Sequence, residues 1–321
     1  MNERDVIARL RRIATDPAAR GLADDAAVFD NLVITHDSIA EGVHFLPFDP
    51  PISVGWKLVA VNLSDLAAKG ATPAAALLSF TVSADDEWDS AFLDGVEAAC
   101  ESYDLALIGG DTIALPAGAP RVLGLTAIGR AGERVPSRGG AGAGDALWLF
   151  GTVGDSAAGL RQLKLDPKAT GLLVDIYRRP VPLLAAGQAL APHATAMMDV
   201  SDGLLIDAAR LAEASGCSAS IDLDRLPLSA AFTSARGNDV AARIAAATGG
   251  DDYALLAALP AGFDASILSL PSGTTMARIG QLASSGGARL ALTSHGQPVP
   301  IPEVLGHEHR GNSASPKADR P

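Results

Sequence analysis

Acidic residues recur beside glycines in this chain: GLADDAA (21–27), GGDT (109–112), VSDG (200–203) and GGDDY (249–253). Two more groups, THDS (35–38) and NLSD (62–65), lie between apolar runs. A single Asp in a turn usually hydrogen-bonds its own backbone, so none of these is diagnostic alone. Asp65 is different. Val54, Leu58, Val61 and Asp65 follow spacings of four, three and four, which puts the carboxylate on the stripe of a helix that should face the core. A buried carboxylate must find a cation, hydrogen-bond donors or a proton. Asn62 and Lys69 are near enough in sequence to provide a local pair, and a bound metal is the alternative. Glycine-flanked acids at strand ends favour the metal, because small residues let backbone and ligand approach closely while carboxylates offer hard oxygens to Mg²⁺.

Those acids need a scaffold. Short apolar strands alternate with amphipathic helices without a fixed repeat, which reads as an α/β or α+β chain. AAVF and LVIT flank Asp30 and Asn31 as a hairpin that delivers Thr35, His36 and Asp37. The next helix is SVGWKLVAVNLSDLAAKG, with Ser53 as N-cap and Gly70 closing it. A helix over 88–103 follows, then the strand LALI, which should end just before GGDT and so place Asp111 on a glycine turn. RVPSRGGAGAGD (134–145) is the first break in composition. The expected domains are 1–137 and 138–308. In the second, TAMMDV, SDG and LLIDAARLAEASG read as strand, acidic turn and helix, and the turn TGGDD precedes the strand YALLAAL. The closing GHEHRGNSASPKADRP lacks periodicity and is expected to have no fixed structure, with 309–321 a disordered tail.

Composition limits the partners. The 321 residues are 48% hydrophobic, enough for a substantial core, and the formal net charge of −12 argues against a broad surface for nucleic acid or anionic membrane. No apolar run approaches the roughly 20 residues of a spanning helix, and the charged start MNERDVIARLRRIATD is unlike a signal peptide, so the cytoplasm is expected. The two cysteines make neither a disulfide framework nor a zinc site. Cys100 shares a stripe with Phe92 and Val96 and reads as core; Cys217 reads as a packed thiol. The phosphate loop G-x-x-x-x-G-K-[ST], the zinc motif H-E-x-x-H and the nucleophile motif G-x-S-x-G are all missing. These residues favour an acidic, Mg²⁺-filled cleft between two α/β units, acting on a phosphorylated ligand.

GLADDAAV, THDSIAEGVHF, GWKLVAVNLSDLAAKGATP, IGGDT, GTVGDSAAGL, DVSDGLLIDAARLAEASG and GGDDYALL occur in the order and approximate spacing of the thiamine-monophosphate kinase family, which the chain resembles over about residues 20–255. The resemblance implies ATP-dependent phosphorylation of thiamine monophosphate to thiamine diphosphate. It also implies a homodimer with the fold of aminoimidazole ribonucleotide synthetase: an N-terminal α/β domain pairing strands across the dimer and binding ATP and Mg²⁺, and a C-terminal α/β domain. Carried over by motif, Asp25, Thr35, Asp37, Asp65, Asp111, Asp199 and Asp202 resemble the family's site for several Mg²⁺ ions; Gly110, Arg130 and Ser201 resemble its ATP contacts; His44, Asp251 and His307 resemble substrate contacts. Another ATP-dependent enzyme of that superfamily, or a ligand-binding paralogue without catalysis, remains the alternative. Three departures stand out: Ala23 where the family has glycine, Asp251 where it has Glu, and His307 where it places an aromatic that stacks on thiamine.

Overall fold

A computed structural model describes residues 3–308 other than 117, 287 and 288. The tail expected at 309–321 lies outside the described residues. A helix α1 (Glu3–Leu10) leads by a short 3-10 turn (Pro17–Leu22) into the hairpin β1 (Ala27–Phe29) and β2 (Leu32–Ala40). The hairpin turns at Asp30, which sits at φ 52°, a left-handed conformation that Asp tolerates. There follow α2 (Pro51–Ala68), β3 (Thr72–Val82), α3 (Asp86–Ser102), β4 (Ala106–Ala114) and β5 (Val122–Arg130). The strands form one sheet in the order β1-β2-β5-β3-β4, with β3 and β4 parallel across α3 and the other pairs antiparallel. Leu78, Phe80, Leu123 and Leu125 bury one face under α2 and α3.

The second sheet is built from 146–299. Its elements are β6 (Ala146–Phe150), α4 (Asp155–Leu165), α5 (Leu172–Arg178), α6 (Leu184–Leu190), β7 (Ala196–Val200), α7 (Leu204–Ala214) and β8 (Cys217–Asp222). After them come α8 (Ala230–Arg236), α9 (Val240–Ala247), β9 (Ala254–Leu259), β10 (Met276–Ser284), β11 (Leu290–Ser294) and β12 (Gln297–Val299). The order is β12-β11-β8-β10-β6-β9-β7. Every residue of β7 and β9 is buried, as expected of strands covered on both faces. Among the described residues, no helix is long and apolar enough to cross a membrane.

Two local expectations are corrected. Helix α2 begins at Pro51, with Pro50 at its N-cap position and no side-chain cap; Ser53 already lies inside it. Proline at the first helical position costs no hydrogen bond there and presets φ, which explains the earlier start. GGDT is not a turn: Gly109 to Thr112 continue β4 beyond LALI. Gly110 is needed because a Cβ there would stand 1.9 Å from the carbonyl oxygen of Leu78 on the neighbouring strand, and φ is +155°.

Candidate active site

Helix α2 is the organising element. Apart from Trp56, it is buried from Ser53 to Ala68, packed on β2, β3, β5 and α3 on one side and on α6 and β7 on the other. It is therefore a core helix of the whole molecule, and not the amphipathic helix that its one stripe suggests. Its polar side chains cannot reach bulk water, so each must be satisfied internally. Lys57 Nζ lies 2.8 Å from Asp251 Oδ2 and donates to His44 O at 3.0 Å. Asn62 accepts from the Asp37 N–H at 2.8 Å and donates to Leu58 O. Ser64 donates to Asp199 Oδ2 at 2.7 Å. Asp65 accepts from the Thr35 hydroxyl at 2.5 Å. Lys69, the C-cap residue, reaches Asp24 Oδ1 at 2.5 Å and Asp25 Oδ2 at 2.8 Å. The local pairing of Asp65 with Lys69 is thus not made; Lys69 serves the other two acids.

Asp25, Asp65 and Asp199 come from the loop before β1, from α2 and from β7, yet each offers an oxygen within 4.8 Å of the others. Burial, and then repulsion from Asp37, Asp199 and Asp25, pushes the Asp65 carboxyl well above its ordinary range. Burial and repulsion from Asp25 do the same to Asp199, against the Ser64 hydrogen bond. Asp25 Oδ2 is buried and accepts no hydrogen bond. Three hard-oxygen donors that repel one another where burial weakens solvation, one of them with an open lone pair, fit a divalent cation such as Mg²⁺.

This triad forms one wall of a cleft of about 1240 Å³, also lined by Asp37, His44, Ser201, Asp202, Asp251 and His307. The two acidic turns of the second half are laced together there: Asp251 N–H donates to Ser201 O at 2.7 Å and Tyr253 N–H to Val200 O at 2.8 Å. Gly250 allows this approach, since a Cβ would stand 2.8 Å from Ser201 O. Burial would raise the Asp251 carboxyl, but Lys57 and the Tyr253 hydroxyl, 2.9 Å away, hold it below its usual range. Asp202 accepts from Arg210 at 2.5 Å, and its carbonyl accepts the His307 N–H at 2.8 Å. The expectation of no fixed structure from Gly306 onward is therefore corrected for Gly306 to Glu308, which pack on the turn carrying Asp202.

Three expected site residues lie elsewhere. Asp37 shares a register row with Leu125, Leu78 and Gly110, while Asp111 shares the next row with Ser79, Gly124 and Ser38. Side chains alternate along a strand, so Asp111 stands on the face opposite the helices and, three strand spacings away, about 14 Å across the sheet. Gly110 and Asp111 on the exposed β4, and Arg130 at the exposed end of β5, are outside the cleft lining. The cleft contains instead Arg138, which pairs with Asp25, and Arg210. Neither arginine was singled out from sequence, nor was Asp207, buried under Arg210 and pushed up to about 7 mainly by that burial. Lys57 carried a signal that went unread: like Asp65, it is charged within a run of apolar residues.

The chain matches the AIR synthase related protein families, the N-terminal domain over residues 23–131 and the C-terminal domain over 142–292. It is 42% identical over 239 residues to the thiamine-monophosphate kinase of Caulobacter vibrioides, covering 71% of this chain and 67% of that protein. The chain belongs to the thiamine-monophosphate kinase family. Another member, from Salmonella typhimurium, is 41% identical over 220 residues, 65% of this chain and 67% of its own length. Among solved structures, AaThiL complexed with AMPPCP and TMP superposes with a TM-score of 0.82 at 30% identity, over 96% of this chain and 97% of that one. The thiamine-monophosphate kinase of Stenotrophomonas maltophilia K279a gives 0.74 at 37% identity, over 92% and 96%. The two matched domains and these superpositions give the chain the expected mixed α/β architecture.

Proposed function

We propose that this chain phosphorylates thiamine monophosphate with ATP, giving thiamine diphosphate and ADP. The observation that carries the reading is the Asp25, Asp65 and Asp199 triad in a cleft between the two halves, in a chain so similar to a protein solved with AMPPCP and TMP. A phosphate oxygen of thiamine monophosphate attacks the γ-phosphorus of ATP in line, the bond from that phosphorus to the bridging oxygen breaks, and ADP leaves. That oxygen is already ionised near neutrality, since the second pKa of a phosphate monoester is about 6, so no side chain must act as a strong base. Mg²⁺ held by Asp25, Asp65 and Asp199, with Asp37 and Asp202 at the rim, would offset the repulsion between the two anionic reactants.

The chain's own groups do the rest. Thr35 orients Asp65 through its hydroxyl, and Ser64 orients Asp199. Arg138 and Arg210 are the cations that face the phosphates, each held ready by a carboxylate. Ser201 lies beside them on the nucleotide side, while His44, Asp251 and His307 line the part assigned to thiamine. We assign residues 1–137 to an ATP- and metal-binding unit and 138–308 to its partner in closing the cleft, working in the cytoplasm.

The open face of the first sheet supports a homodimer. Leu107 and Ile113 on the edge strand β4 and Val122 on β5 are each about half exposed on that face. Such an edge is a liability unless another chain covers it. In this arrangement Gly110 and Asp111 serve the cleft of the second copy. The test is to incubate the purified chain with ATP, Mg²⁺ and thiamine monophosphate and to quantify both products. Thiamine diphosphate and ADP in equal amounts are expected; ADP without thiamine diphosphate rejects the reading.

A further inference from the structure

Lys69 is fully buried, with 0% of its side chain exposed, at the point where both halves and the segment joining them meet. Its ammonium donates to Asp24 Oδ1 at 2.5 Å, to Pro136 O at 3.3 Å and to Met197 O at 3.0 Å. An ammonium has three N–H groups, so these partners use all of them. Asp25 Oδ2 is only 2.8 Å from the same nitrogen, yet it accepts no hydrogen bond. Lys69 therefore acts on Asp25 through charge alone, while Arg138 takes Asp25 Oδ1. The oxygen left open is the one beside the fixed ammonium.

We propose that Lys69 is a positioning residue that sets the affinity of the Asp25, Asp65 and Asp199 triad for divalent cations: a built-in positive charge, shared between Asp24 and Asp25 and anchored across the seam to Met197 O, that weakens cation binding. This rests on the reading of the triad as a metal site. The charge is close enough to matter. The ammonium is 2.8 Å from Asp25 Oδ2, a separation at which unit charges interact strongly even at the effective dielectric constant of protein sites. The partners determine the sign. Removing Lys69 leaves Asp24 and Asp25 with one arginine each, Arg20 and Arg138, and strengthens the pull on a metal. Removing the charge of Asp24 lets Lys69 act wholly on Asp25 and weakens that pull.

The experiment uses the full chain, without ATP or thiamine monophosphate, and Mn²⁺ as the probe. Its binding is measured by calorimetry, alongside melting temperatures with and without Mg²⁺, in the parent, Lys69→Met and Asp24→Asn. In Lys69→Met the Kd for Mn²⁺ should fall about tenfold and the Mg²⁺-induced rise in melting temperature should exceed that of the parent; in Asp24→Asn the Kd should rise several-fold. A merely structural lysine would lower the melting temperature equally with and without Mg²⁺ and leave both Kd values alone, which overturns the proposal. If Lys69→Met does not fold without metal, Asp24→Asn decides, and an unchanged or tighter Kd there overturns it. A parent that binds no Mn²⁺ overturns both this proposal and the metal reading. Opposite shifts in a parent that makes no thiamine diphosphate support the role of Lys69 and reject only the kinase assignment.

Discussion

The two ends of α2 each bury a lysine against carboxylates, but their charges sum differently. At Lys57 one ammonium meets one carboxylate, Asp251, and the remaining contacts are neutral: His44 O, the Tyr253 hydroxyl and the Tyr177 ring 4.2 Å away. At Lys69 the cations Lys69, Arg20 and Arg138 face Asp24, Asp25, Asp65 and Asp199, with Asp37 close by. The first end is balanced without any ligand. The second carries more carboxylates than cations, an excess that protons on Asp65 and Asp199 or a divalent cation would offset. Lys57 and Lys69 are 12 residues apart, about 18 Å along the helix. That span separates a neutral, aromatic end suited to an organic group from an acidic end suited to metal and phosphate.

The comparison breaks most sharply at Asp199. Asp199→Asn should lower kcat on the order of a thousandfold, as loss of a transition-state charge contact does. It should also raise the melting temperature of the metal-free protein, because a repelling buried carboxylate is removed. A fall in both would mean that Asp199 merely packs. Asp111→Asn should also be inactive if the acidic end is completed by a second copy. Mixing and refolding it with Asp199→Asn should then restore about a quarter of parent activity, since half the random dimers are mixed and each has one intact site. No recovery would return Asp111 to a structural role.

The balanced end should respond more mildly. Asp251→Asn leaves Lys57 unneutralised near a cationic substrate, so KM for thiamine monophosphate should rise about tenfold, roughly 1.4 kcal/mol, while KM for ATP stays put. An effect on ATP alone would place the nucleotide there instead. The smallest effect concerns pH. Asp207 is raised to about 7, and Asp65 and Asp199 are also raised, so the folded chain holds more protons than the unfolded one between their ordinary range near 3.8 and about pH 7. Metal-free stability should therefore decline as pH rises across that window, and saturating Mg²⁺ should flatten the decline. Asp24, held down at about 2 by Lys69 and Arg20 against the effect of burial, is ionised in the folded chain throughout the window and opposes the decline only below about pH 5, where its unfolded form takes up protons. Melting curves from pH 4 to 8, with and without Mg²⁺, test the sign.

Much of this was legible in the sequence where local rules act alone. The hairpin at Asp30, the strand–turn–helix around Asp202 and the glycine closing α7 follow from turn chemistry and periodicity. Strand β3 was not read, because TPAAALLSFTV has a proline at its second position, runs through alanines and shows no clean alternation. Strands β10 to β12 were missed for a related reason: they are short or half exposed, and pairing partners decide them. Asp65 was readable as a charge on a core stripe, but its distance from Lys69 was not. Lys69 sits at the C-cap, with φ −105° and ψ 1°, where the helix ends and i to i+4 spacing loses its meaning. Asp111 was read as a metal-site residue without its face, because a strand taken to end at Ile108 has no alternation to extend. Arg130 precedes the linker and Arg138 lies inside it, and only the fold shows that Arg138 lines the cleft while Arg130 is the exposed end of β5.

The all-round burial of α2 also sets a timetable. Ribosomes deliver the chain from its N-terminus, and the residues that cover the second flank of α2, such as Gly187 against Ala67 and Met197 over Lys69, come about 120 positions later. At roughly 5 to 20 residues per second this is a wait of about 6 to 24 s. Throughout it, Ala67, Ala68 and a lysine bound for the interior remain wet, and the first sheet has no lid on that flank. The nascent first half thus keeps that flank of α2 uncovered until the second half arrives, and a cut at the linker would leave each fragment with a face that only the other covers.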